Sequence, residues 1–140
     1  MIYKTKAGVE ESQNVQALQE GANINFVDDG EGTIEVQVDE AIVSAVSNGT
    51  TAVSVFGASG LPFAITITGV YLIARDTTAT NITVEAPAST VVATIAKGVT
   101  AGAVIGASSL ANTSVAAGTN VILDGSSTGV AQVFITYRPA

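Results

Sequence analysis

The sequence predicts an all-β protein: one β-sandwich or jelly-roll-like domain over residues 21–140, preceded by an N-terminal arm over residues 1–20. Three observations predict it. From Asn23 onward apolar and polar residues alternate with period two, as in "TIEVQVDE", which marks strands with one dry and one wet face. Thr, Val and Ile abound while good helix formers are scarce. The clusters "SNGT", "GASGLP", "APAS", "AAGTN" and "DGSSTG" punctuate the chain at intervals that leave no room for alternating helices.

Taken in order, "MIYKTKAGVEESQNVQALQE" reads as an arm with a short helix from Val9 to Glu20. The apolar residues of that helix are Val9, Val15, Ala17 and Leu18, too few for a wide core-facing stripe, so the arm is expected to dock on another surface. Ile24–Val27 and Thr33–Val38 form a hairpin around "DDGEG", whose Asp-Gly step suits a positive-φ turn. Further strands are expected over Thr51–Phe56, Phe63–Arg75, Thr80–Glu85, Thr90–Ala96, Asn120–Leu123 and Val130–Arg138. Residues 41–47 ("AIVSAVS") suit a helix or a strand equally. The small-residue segment 98–117 reads as a long loop or as weak strands at a tight interface. In "VAQVFITYR", Ala131, Val133, Ile135 and Tyr137 share one face, and Val130, Gln132, Phe134 and Thr136 share the other. Neither face carries a charge. One is expected on the core and the other against a neighbouring subunit.

Composition narrows the function classes. The chain has 140 residues and no Cys or His, which removes disulfides, thiolate chemistry, the commonest general base and the commonest zinc ligand. Charged residues make up 12%, against about 25% in an ordinary soluble domain. The longest apolar stretch, residues 61–74, contains Thr66, Thr68 and Gly69 and is shorter than the roughly 20 residues of a spanning helix. The first residues lack the apolar stretch of a secretory signal. The expectation is therefore a soluble chain whose surface is largely covered by other protein, not a membrane protein.

Charge is unevenly placed. Residues 1–40 hold Glu10, Glu11, Glu20, Asp28, Asp29, Glu31, Glu35, Asp39 and Glu40 against Lys4 and Lys6, which accounts for the whole net charge of −7. Beyond them Arg75, Lys97 and Arg138 balance Asp76, Glu85 and Asp124. With a pI near 4.2 and no basic cluster, nucleic acid is not an expected partner.

Chemical motifs are few. Asp28, Asp29 and Glu31 offer oxygens for calcium, but the twelve-residue calcium-loop pattern puts its first ligand on Val27, so the acids read as turn residues. Gly98, Gly102 and Gly106 form a four-residue glycine repeat, read as close backbone packing in a β protein. "GASG" (57–60) lacks the lysine of a phosphate loop. The acceptor triplets at Asn48, Asn81 and Asn112 read as chance in a Ser/Thr-rich chain. No hydroxyl has an evident base, and Lys97 reads as an interfacial or snorkelling lysine. Tyr71, Tyr137 and Phe134 are expected to line a core rather than stack on sugar. No enzyme activity, cofactor, metal or small-molecule substrate is expected.

The stretch "GANINFVDDGEGTIEVQV" resembles the G-x-x-I-x-F/L-x-D-x-G-D/E-G-T-I hairpins of tailed-phage virion proteins. The downstream stretches "TGVYLIARDTTATNITVEAPASTVVATIA" and "GVAQVFITYRP" are similar to the small β-sandwich modules of phage capsid decoration (cement) proteins and of fibre-like proteins. The resemblance implies a jelly-roll-like subunit, usually trimeric, on the outer capsid where hexamers meet. It implies the major capsid protein as partner, no cofactor, no reaction, and a place on the virion after assembly in the host cytoplasm. The interface residues expected from the residue pattern itself are Val9, Val15 and Leu18 of the arm, Asp28, Asp29 and Glu31 of the hairpin, and Phe134. A nearly uncharged body without a receptor-binding tip favours decoration. The alternatives are a phage fibre, collar or baseplate component, and a non-phage surface or carbohydrate-binding β-domain.

Overall fold

The structure is a computed structural model and describes residues 24–28, 34–38 and 40–140. The chain divides into two compact units, Met1–Ala41 and Ile42–Ala140. In the first, β1 (Ile24–Asp28) pairs antiparallel with β2 (Ile34–Val38), with Asp28 opposite Ile34 and Ile24 opposite Val38. The expected helix from Val9 to Glu20 and the turn residues Asp29 to Thr33 lie outside the described residues.

The second unit is a β-sandwich, and among the described residues there is no helix. One sheet contains β4 (Val53–Ser54), β6 (Thr80–Glu85), β7 (Val91–Lys97) and β10 (Ile122–Gly125), in the order β4-β10-β6-β7. The other contains β3 (Ala41–Asn48), β5 (Ile65–Ala74), β8 (Val104–Gly106) and β11 (Val130–Pro139), in the order β3-β11-β5-β8, with β9 (Ser114–Val115) also on β5. The expected all-β sandwich is what the chain forms.

Residues 41–47 resolve as strand. Their period is two: Val43 and Ala45 pack on the core and Ser47 is buried, while Ile42, Ser44 and Val46 are exposed. Segment 98–117 is mostly loop, because runs of Ala, Gly and Ser offer little side chain to pack a strand face. It nonetheless completes the edge of β5. Ala74 donates to the Ala103 carbonyl at 2.9 Å, Gly102 to Ala74 at 2.7 Å, Ala107 to Val70 at 2.9 Å and Ile67 to Thr113 at 2.9 Å.

The core lies between the sheets. Ile65, Ile67, Val70 and Leu72 of β5 and Ala131, Val133 and Ile135 of β11 face Ile82, Val84, Val92, Ile95, Val121 and Leu123, all buried. Each large aliphatic side chain so buried stabilises the fold by about 1.5–3 kcal/mol before entropy is counted.

The glycine repeat does not pack closely. Gly98, Gly102 and Gly106 are exposed, and a methyl added at any of them meets nothing within 4 Å. Close approach belongs to other glycines: a Cβ on Gly60 would strike the Thr119 backbone and one on Gly125 the Gly49 carbonyl. Those contacts join segments far apart in sequence, which a local glycine spacing does not reveal.

Candidate functional site: an apolar outer sheet face

A two-sheet sandwich has two outer faces, and here they differ in chemistry. The four-stranded sheet shows water mainly polar groups, Asn81, Thr83 and Glu85 from β6, Thr94 from β7 and Asp124 from β10, with Val91, Ala96 and Ile122 between them. That is the polar-out pattern of a solvated antiparallel sheet. The five-stranded sheet turns out Ile42 and Val46 from β3, Phe134 from β11, Tyr71 and Ile73 from β5, and Val104 from β8. Ile42, Val46 and Val104 are 56%, 44% and 67% exposed.

Strand register assembles this face. Phe134 lies opposite Tyr71, and Ile73 is flanked by Gln132 on one side and Val104 on the other. The Tyr71 and Phe134 rings stack with centroids 4.9 Å apart and planes 8° from parallel, a cross-strand aromatic pair. The polar groups on the face bond to one another. Arg75 Nη2 donates to Gln132 Oε1 at 3.1 Å, Gln132 Nε2 donates to Ser44 Oγ at 3.0 Å, and Thr68 Oγ1 donates to Thr136 Oγ1 at 2.9 Å. Between the two arginines at its ends, Arg75 and Arg138, the uncovered part of the face is mainly apolar.

A β-bulge decides which aromatics face out. The β5–β11 register pairs Thr136 with Gly69 and Tyr137 with Ile67, leaving Thr68 over. Ile65 and Ile67 point inward before the bulge, and Val70, Leu72 and Ala74 after it. Strict alternation from Ile65 would have put Tyr71 in the core. The expectation that Tyr71 and Phe134 line the core is therefore corrected: both are half-buried on the outer face. Tyr137 does pack on the core, edge-on to Phe56 with centroids 5.2 Å apart.

Of the other candidate interface residues, Asp28 closes β1 opposite Ile34. Val9, Val15, Leu18, Asp29 and Glu31 lie outside the described residues.

A second polar cluster escaped sequence reasoning. Lys97 is not snorkelling: its side chain is fully buried. Its ammonium donates to Asp76 Oδ1 at 2.5 Å, to the Asp76 carbonyl at 3.1 Å and to the Thr78 carbonyl at 2.6 Å, with the Gly98 carbonyl at 3.4 Å. Asp76 also accepts from the backbone N–H of Thr78 at 3.2 Å and of Val130 at 3.1 Å. The Lys97 hydrogen bond holds the Asp76 carboxyl below its ordinary value of 3.8; burial opposes this, and the Thr78 and Val130 bonds and the lysine charge support it. The ammonium has three protons and three close acceptors, so none is left for a ligand.

Beside it, Ala79, Thr80, Asn81, Ala96, Lys97, Ser126 and Ser127 line an open groove of about 380 Å³. Its hydroxyls are engaged in the fold. Ser127 Oγ donates to the Ala79 carbonyl at 2.6 Å, Ser126 Oγ accepts from Asn81 N at 2.9 Å, and Thr80 Oγ1 accepts from Ser127 N at 3.0 Å. The cluster ties the turn after β10 to the start of β6; it is a structural tie. Among the described residues no group of three His, Cys, Asp or Glu could hold a metal, and no helix is long and apolar enough to cross a membrane.

Comparison with family models, with curated proteins and with solved structures returned no match. The geometry of the chain itself therefore carries the functional reading, and within the sandwich its distinguishing feature is the apolar patch on the outer face built around Tyr71 and Phe134.

Proposed function

We propose that this protein is a structural component of a virion, a capsid decoration (cement) protein that trimerises on the outer shell and braces it. The observation that carries the reading is the asymmetry of the sandwich, with one polar outer face and one built from Ile42, Val46, Tyr71, Ile73, Val104 and Phe134. An apolar sheet face on a chain with 12% charged residues suits a surface covered by copies of itself. In this reading trimer contacts cover the outer face of β5 and β11. The segment 1–40, which carries the net charge, engages the major capsid protein through Val9, Val15 and Leu18 and through the acids Asp28, Asp29 and Glu31. Repetition over many sites multiplies a modest contact into a stiffer shell. The role is mechanical and needs no cofactor.

The test is reconstitution on undecorated capsids. Full-length protein is expected to bind and to raise the temperature at which the shell opens, while a chain lacking residues 1–20 remains oligomeric and fails to bind. Equal binding by both chains removes the docking assignment. Absence of the protein from purified particles removes the virion role.

A further inference from the structure

Sheet edges are places where unpaired backbone groups invite another strand, and folded proteins normally blunt them. In the sandwich three edges are blunted. β4 has two residues, and β8 and β9 have three and two. The rim of β7 is covered at its start by chain 111–112, with Ala111 N donating to the Val92 carbonyl at 2.9 Å and Asn112 Nδ2 to the Val91 carbonyl at 2.8 Å. The fourth edge is β3. It runs for eight residues, "AIVSAVSN", without Pro or any charged side chain, and among the described residues no strand lies on its outer side. Ile42 and Val46, exposed along it, extend the apolar face.

We propose that β3 is a strand-addition site for β3 of a second copy of this chain. The strand is self-complementary about Ser44. In an antiparallel pair with Ser44 on the two-fold axis, Ile42 meets Val46 of the other copy on the outer face and Val43 meets Ala45 on the inner face. The pairing places apolar residues against apolar residues on both faces and brings no like charges together, and its symmetry satisfies both edges at once. Two five-stranded sheets become one continuous sheet, and the apolar face of each runs into the other. The proposal does not depend on the virion reading: trimers built on the β5–β11 face become linked pairwise through β3, and a non-viral protein with this edge pairs in the same way.

The chain has no cysteine, so one introduced thiol reports its own neighbour. Ser44→Cys, at an exposed position, is expected to give a disulfide-linked dimer in most of the protein under mild oxidation of the full chain. Asn48→Cys is the control. In the proposed register the two introduced thiols stand eight residues apart along the strand, about 26 Å, beyond disulfide reach. Ser44→Lys sets two charges directly opposite each other and is expected to lower self-association in sedimentation while circular dichroism stays unchanged. Failure of Ser44→Cys to cross-link overturns the proposal, as does equal cross-linking of the two cysteine variants, which reports random collision.

Discussion

Lys97 and Asp76 stand 21 residues apart in the chain and meet as an ion pair, Nζ 2.5 Å from Oδ1, with the lysine side chain fully buried and the aspartate a third exposed. The pair links the end of β7 to the connection between β5 and β6, and through Val130 N to the start of β11. Lys97→Ala leaves the Asp76 and Thr78 carbonyls without their donor. It is expected to lower stability by about 1–2 kcal/mol, less than for a fully buried pair because Asp76 reaches solvent. Urea unfolding measures this. A change below about 0.5 kcal/mol makes the pair a bystander.

The pair also makes a statement about pH. The folded carboxyl of Asp76 is held below 3.8, chiefly by the Lys97 hydrogen bond, so the folded protein binds that proton less tightly than the unfolded chain. Its contribution to stability is present above about pH 3.8 and is lost as pH falls through the folded value. Asp76→Asn removes the titration. The stability gap between wild type and Asp76→Asn is expected to be widest near about pH 6 and to narrow toward about pH 2. A gap that stays constant across that range contradicts the assignment. Comparing the two chains cancels the acids of residues 1–40, which titrate in both.

Glycine substitutions separate two kinds of position. Gly98→Ala and Gly106→Ala place a methyl in open space and are expected to change stability by less than about 0.5 kcal/mol. Gly60→Ala forces a Cβ into the Thr119 backbone at a φ of +63° that L-residues disfavour. It is expected to cost more than about 2 kcal/mol and to lower the melting temperature by several degrees. Equal tolerance at all three positions contradicts the described approach of the 57–60 turn to Thr119.

Much of the sandwich was legible because alternation is local. Thr80–Glu85 appears with the boundaries the pattern suggested, and Val130–Pro139 and Ile65–Ala74 differ from expectation by one or two residues. Three features were not legible, each for a non-local reason. The parity of Tyr71 depends on a bulge set by pairing with β11. The burial of Lys97 depends on Asp76 and Thr78 arriving from another connection. Gly60 and Gly125 are confined by segments distant in sequence, while the visible glycine repeat meets no neighbouring atoms and only Gly102 in it needs its positive φ of +83°. The outer face was half legible. Phe134 fell on the second face of its strand by simple counting, but its partners Tyr71, Ile73 and Val104 came from register.

In the proposed assembly, copies of this chain cover the face around Tyr71 and Phe134. Sedimentation equilibrium of the full chain, wild type beside Phe134→Glu and Val104→Glu, is the decisive measurement. The expected wild-type mass is three times the 14.0 kDa chain, or a multiple of that, with a lighter species for each variant and an unchanged circular dichroism spectrum. A wild-type monomer, or variants that keep the wild-type mass, overturns the proposed coverage.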